Sequence, residues 1–413
     1  MMPTATLEQS VKIPGAKTPV LQRIATIDIL RALTMVLMIF VNDLGSLRDI
    51  PLWLEHVKPG EDGLGLADVV FPGFLFIVGL SLPYAIDNRR KKGDTEWQLV
   101  QHVITRSIAL LVMGVFLVNG ETRNDEAMGF PPYLWNPLCC ISFILIWNVF
   151  PKNASKGLVY TAKAIGIINL IILAYIYRGE GQNGEITTFA PQWWGILGLI
   201  GWSYLAAGLV TVFSKNNFVA VLCAWIFFAV LSMLYHAHIV PREGFISYIP
   251  NAIIGGTLAG LSMGGVLTTL IFRHFRKMND NTKLTLALLG FAALLIALSV
   301  ITRPYWKLAK LGATPAWLFL CSAFTVIGFV VIYWLCDVNR KANWFNFIKP
   351  AGTDTLLCYL IPYFLYAIFR AVHLHWPEFI ITGGVGLLKS LGIALLCVYI
   401  TGLLNKAGVK LKL

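Results

Sequence analysis

Twelve apolar runs follow one another along the chain, centred near residues 36, 77, 110, 141, 168, 204, 227, 261, 293, 325, 362 and 392. Most run to about 20 residues, long enough as a helix to cross a hydrocarbon core of roughly 30 Å. Between them lie short polar loops, none long enough for a separate soluble domain. The pattern predicts an all-α polytopic membrane bundle of about 11–12 transmembrane helices. We divide the chain into a cytoplasmic N-terminal tail (1–22), one transmembrane domain (23–404) and a cytoplasmic C-terminal tail (405–413).

Composition agrees with this reading: 57% of residues are hydrophobic and only 13% charged. A soluble domain of this size would carry about twice that charge fraction. Residues 1–22 are polar and lack the short apolar core and cleavage site of a signal peptide, so the first run reads as an uncleaved anchor. All seven cysteines fall within apolar runs, which implies neither a disulfide framework nor a zinc site. The net charge of +12 follows from topology rather than from nucleic-acid binding. Alternate loops differ sharply in charge. One set, with "RRKK" at 89–92 and "RHFRK" at 273–277, is strongly basic, whereas the other carries more acids than bases. The positive-inside rule then places both termini in the cytoplasm and the loop at residues 44–65 outside. One outer loop, "TRPYWKLAK" at 302–310, runs against the trend.

Nine ionisable residues lie in or beside the apolar runs: Asp28, Arg31, Asp43, Asp68, Arg106, Lys163, Asp354, Arg370 and Lys389. A charge at mid-membrane costs a few kcal/mol, so each needs a partner, an interface or a wet cavity. Lys163, Arg106 and Arg370 sit near helix ends and can snorkel; Lys389 lies deeper. In the first run Asp28 and Arg31 are three apart and share a face. Met35 and Asn42 continue that stripe, with Asn42 about 21 Å above Asp28 along the axis. Lipid would tolerate such a stripe poorly, so it should face the bundle.

The outer stretch "WLEHVKPGEDGLGLADVVFP" (53–72) holds the candidate chemistry. His56 is an imidazole that can take a proton from an amine or hydroxyl if a partner orients its ring. Asp68, at the start of the second apolar run, is the candidate partner. "HAH" at 236–238 and "HLH" at 373–375 do not make a metal site, because residues two apart do not share a helix face. Trp53, Trp135 and Trp376 are candidate platforms for a sugar ring.

"RIATIDILRALTMVLMIFVNDLG", a loop with His56, and "GLGLADVVFPGFLFIVGLSLPYAI" together resemble the transmembrane acetyltransferases typified by heparan-α-glucosaminide N-acetyltransferase. The match covers roughly residues 23–84. Looser echoes follow in "TRSIALLVMGV", "VPREGFISYIPNAIIGGTLAG" and "PAGTDTLLCYLIPY". The resemblance implies an enzyme that carries an acetyl group from cytosolic acetyl-CoA to an amino sugar, glucosamine-like, on the far side of the membrane. His56 matches the catalytic histidine, Asn42 the asparagine closing the first conserved helix, and Asp68 the aspartate opening the second. Asp28 and Arg31 match the helix-start charges and, with Arg106, are candidate acetyl-CoA contacts; the basic loops at 89–92 and 273–277 would attract its phosphates. The mechanistic expectation is that His56 acts as base while Asp68 orients it and Asn42 donates to the oxyanion. A covalent acetyl-histidine route is the alternative.

There are departures. Ala32 stands where the family usually has glycine, Asp354 where it has asparagine, and the loop after His56 reads "VKPGEDG". The family's large lumenal N-terminal domain has no counterpart here, so an acceptor would be bound by loops and the bundle mouth. The expected setting is a bacterial inner membrane, with the lipid bilayer, acetyl-CoA and a sugar acceptor as partners, a homodimer left open, and no metal or nucleic acid. The rival readings are a secondary transporter and an O-acetyltransferase of a surface polysaccharide.

Overall fold

Each apolar run folds as a helix because a chain in lipid must satisfy its own backbone hydrogen bonds. The computed structural model describes residues 25–413 apart from Phe130, Gln182 and Arg242; the expected tail at 1–22 lies outside the described residues. Twelve helices occupy the twelve runs. They are α1 (Ala25–Asp43), α2 (Leu66–Lys91), α3 (Glu96–Asn119), α4 (Trp135–Trp147), α5 (Lys156–Ile176) and α6 (Gly195–Ser214), then α7 (Phe218–His236), α8 (Thr257–Lys277), α9 (Asn281–Thr302), α10 (Pro315–Tyr333), α11 (Thr355–Ala371) and α12 (Gly383–Lys406). Ten of the described helices are long and apolar enough to span a membrane, with α10 counted through Val338. The segment Ala342–Thr353 together with α11, bent by 78° at the break, makes an eleventh candidate if the pair is one span, and α4 is a shorter apolar helix.

Helices α2 and α8 form the centre of the bundle, with 72% and 78% of their most apolar windows buried, against 17% for α5. Their backbones meet where side chains are missing. A Cβ on Gly79 would lie 1.9 Å from the Ser262 carbonyl oxygen, and one on Gly265 would lie 2.0 Å from that of Phe76. Small residues at such crossings let helices associate without a hydrophobic driving force between them. At the periphery the outward face is apolar: Ile165, Ile168, Ile171 and Ile172 of α5 are exposed. A helix greasy on the outside as well as within belongs in lipid, and the protein is an integral membrane helix bundle.

Two features place the functional ends. The chain between α1 and α2 (44–65) caps one end of the bundle. The C-terminal residues return to the other end, where the Leu411 amide donates to Asp354 Oδ2 (3.2 Å) and Asn148 bridges to Leu411. The start of α1 and the end of the chain therefore lie together, opposite His56.

Candidate active site

Loop 52–65 is folded tightly enough to aim a histidine. Leu54 is buried as an anchor while Trp53 beside it is 66% exposed. Gly65, just ahead of α2, is packed so closely that a Cβ there would fall 1.8 Å from the Glu55 carbonyl oxygen. This contact lays residue 55 over the start of the helix and brings His56 to Asp68. His56 Nδ1 lies 2.7 Å from Asp68 Oδ1. Asp68 Oδ2 accepts from the backbone amides of Val57 (3.0 Å) and Gly65 (3.1 Å), as an acid in a helix's first turn does. The carboxylate is 4% exposed and the imidazole 50% exposed. In the tautomer a carboxylate on Nδ1 favours, the ring proton is on that nitrogen and Nε2 is the acceptor, with Lys310 Nζ 3.4 Å from it.

A second loop holds this one in place. Asp62 receives the Leu308 amide (2.8 Å) and the Arg303 side chain (3.0 Å). The Gly63 amide donates to the Leu308 carbonyl (3.1 Å) and Lys307 Nζ to that of Gly60 (3.1 Å). The Leu308 amide chiefly holds the Asp62 carboxyl below the usual range; burial opposes it, and Arg303 adds to the lowering. From α10, Trp317 Nε1 donates to the Asp68 carbonyl (3.0 Å). The same second loop carries Lys310, whose Nζ stands 3.4 Å from both ring nitrogens of His56 and 3.4 Å from the Ala67 carbonyl oxygen. Burial pulls the Lys310 ammonium below its usual range, and the Asp68 carboxylate counters it. Lys310 was not foreseen among the site residues. Its signal in the sequence was the basic outer loop that broke the charge trend.

At the opposite end, Arg31 and Arg106 converge on a cavity of about 430 Å³, lined also by Met35, Ser81, Tyr204 and Gly352. Arg31 pairs with Asp28 (3.3 Å) and donates to the Gly352 carbonyl (3.3 Å) and to Ser81. Arg106 lies 4.7 Å above the Tyr204 ring, with its Nε buried and unbonded among the described residues. Met38 and Phe74 carry the lining upward; Phe74 is six residues, about 9 Å, below Asp68. A wider basic cavity of about 1380 Å³ lies at the same end, lined by Arg273, Arg276, Lys277 and Arg340. Of these, Arg273 is already paired with Asp87 (2.7 Å); in the nearby basic loop Arg89 pairs with Asp94 (2.7 Å) and Arg90 with Glu96 (2.8 Å).

Other residues stand apart. Asn42 is exposed at the end of α1, and among the described residues no hydrogen bond ties it to His56 or Asp68. Trp135 is fully buried and donates to the Phe116 carbonyl (3.0 Å), so it is packing rather than a sugar platform. Both His236 nitrogens lie 2.8 Å from backbone carbonyl oxygens, those of Ser232 and Gly312. Arg370 and Lys163 are exposed.

The arrangement sets a carboxylate-oriented imidazole at one end of a membrane helix bundle and an arginine-lined cavity at the other. The family profile described as "Heparan-alpha-glucosaminide N-acetyltransferase, catalytic" matches residues 23–124. Over 107 residues the chain is 33% identical to heparan-alpha-glucosaminide N-acetyltransferase of Mus musculus, covering 26% of this chain and 15% of the mouse protein. It is 32% identical over 187 residues to the Homo sapiens protein of the same name, covering 43% of this chain and 25% of the human one. The aligned stretches thus span a quarter or less of these relatives, and the stretch the family profile matches contains the His56–Asp68 pair. The chain resembles this acetyltransferase family through its first three helices.

Proposed function

We propose that the protein is a membrane acetyltransferase that takes the acetyl group of acetyl-CoA from the cytoplasmic side and delivers it to an amino sugar of glucosamine type on the outer side. The observation that carries this reading is the placement of His56–Asp68 and of the Arg31–Arg106 cavity at opposite ends of the same helices. The relatives' printed name supplies the transfer to a glucosaminide nitrogen; acetyl-CoA as donor follows from the family resemblance and from a cavity suited to a polyanionic thioester. Arg31 and Arg106 would hold phosphate oxygens, and the apolar walls at Met35, Met38 and Phe74 would take the pantetheine arm. Asp28 holds Arg31 in position. The expected setting is a bacterial inner membrane with both chain termini inside.

The chemistry follows from the tautomer. Asp68 fixes the proton on Nδ1, so Nε2 takes the proton of the attacking amine as the new C–N bond forms and the carbonyl electron pair moves onto oxygen. When that pair returns, the C–S bond breaks and the departing CoA thiolate is protonated by the imidazolium. A positioned base of this kind contributes about 10²–10⁴-fold. Asn42 would enter only if the acceptor draws its amide to the site.

The test is transfer of labelled acetyl from acetyl-CoA to glucosamine by the purified protein, wild type beside His56→Ala. Label on the sugar in wild type and its loss in a folded variant is the expected result. If wild type neither binds acetyl-CoA nor releases CoA, the reading fails and the secondary transporter takes its place.

A further inference from the structure

Lys310 is the group that neither the sequence motifs nor the family resemblance assigns. It arrives from the loop between α9 and α10, 254 residues from His56 in the chain. That loop is fastened for the purpose of position: Asp62 holds it through Leu308 and Arg303, Thr314 Oγ1 donates to the Lys307 carbonyl (2.7 Å), and the His236 ring meets Gly312 (2.8 Å). The Nζ contacts are all 3.4 Å, at the long edge of hydrogen-bond range. The ammonium is therefore held beside the ring by long contacts only, and its own ion partner in the site, Asp68, spends its oxygens on His56, Val57 and Gly65. The titratable groups that face Lys310 are His56, Asp68 and Cys321.

We propose that Lys310 is a catalytic residue that donates to the oxyanion formed on the transferred acyl group. The argument is one of reach. An acyl carbon attacked at Nε2, or by an amine whose proton passes to Nε2, has its carbonyl oxygen a few ångströms from that nitrogen. A cation 3.4 Å from Nε2 is then placed to meet the oxygen as negative charge develops there, and fixed donors at such a position are usually the largest single contribution to acyl transfer. It does what Asn42 was expected to do, from a residue already beside the ring. The proposal rests on the reading of His56 as the reacting group.

The experiment compares wild type, Lys310→Met and Lys310→Arg in two assays on the intact detergent-solubilised protein. In acetyl transfer to glucosamine, Lys310→Met should lower kcat about 10²–10³-fold with KM for acetyl-CoA unchanged. Lys310→Arg should restore much of it and keep its activity to higher pH, since the guanidinium stays charged where the ammonium is lost. The second assay needs neither acetyl-CoA nor a sugar: ethoxyformylation of His56 by diethyl pyrocarbonate, followed on the His56 peptide by mass spectrometry. There Nε2 forms the N–C bond, the C–O bond to ethyl carbonate breaks, and the same oxyanion is built beside Lys310, so labelling should slow in Lys310→Met and recover in Lys310→Arg. Wild-type transfer by Lys310→Met overturns the proposal. Should wild type itself transfer no acetyl, the acetyltransferase reading falls, and an unchanged labelling rate of His56 in Lys310→Met would then overturn the role of Lys310 separately.

Discussion

Two buried carboxylates stand near the His56 end of the bundle, and they have opposite fates. Asp43, at the end of α1, is 3% exposed and pairs with Lys389 (2.9 Å), itself 7% exposed. Tyr366 donates to its Oδ1 (2.7 Å), Ser390 to its Oδ2, and Lys389 also reaches Ser46 (2.8 Å). The charge is cancelled and its donors are turned inward, pinning α1 to α11 and α12. Asp68 is as deeply buried, but its partner is an imidazole that is half exposed, with only the long Lys310 contact at its second nitrogen. The same ingredients give a rivet in one place and a reactive group in the other. A buried network that is fully satisfied fixes structure; one that ends on a half-exposed imidazole can do chemistry.

The comparison makes separable predictions. The largest effect should be kinetic: His56→Ala should reduce transfer by about 10²–10⁴-fold while its unfolding midpoint stays near that of wild type, because the ring is half exposed. A variant that loses folding along with activity would place His56 on the rivet side. Next, Lys389→Ala should destabilise by about 3–5 kcal/mol, since it strands a buried carboxylate, and the protein that remains folded should keep its kcat. The pair Asp43→Asn with Lys389→Met should recover most of that stability; if it does not, the network is more than an ion pair.

A smaller effect should come from the loop that delivers His56. Gly65→Ala puts a methyl group against the Glu55 carbonyl and shifts the ring off Asp68, and a displacement of about 1 Å costs on the order of 10²-fold in rate. Unchanged kcat in a folded Gly65→Ala would mean that the Nδ1–Oδ1 contact is dispensable. The mildest expectation concerns the clasp between the His56 loop and the Lys310 loop. The Asp62 carboxyl is lowered in the folded state, first by the Leu308 amide and then by Arg303. Its contribution is thus full above the ordinary carboxylate pKa of about 3.9 and is lost as pH falls through the lowered value. Hydrogen-exchange protection of the Leu308 amide, corrected for intrinsic rate, should drop over that acidic window in wild type and be low at every pH in Asp62→Asn. Equal protection in both proteins would remove Asp62 from the clasp.

Much of this molecule was legible along the chain. All twelve apolar runs became helices, because in lipid each run must close its own hydrogen bonds over four residues, and that is a local property. The His56–Asp68 pair was legible too, since the partners are twelve residues apart in one loop and a helix start. So was Asp28–Arg31, one turn apart on α1. The convergence of Arg31 and Arg106 on one cavity and the deep Lys389 meeting Asp43 were suggested only as charges in search of partners. Spacing along the chain carries no record of which helices become neighbours. Tertiary structure alone decided that the backbones of α2 and α8 touch at Gly79 and Gly265, that the chain bends at Asp354, and that Lys310 stands beside His56. Those depend on how helices pack and how loops clasp at the bundle's end, where the contacts join residues hundreds of positions apart and the local pattern of polar and apolar residues is silent.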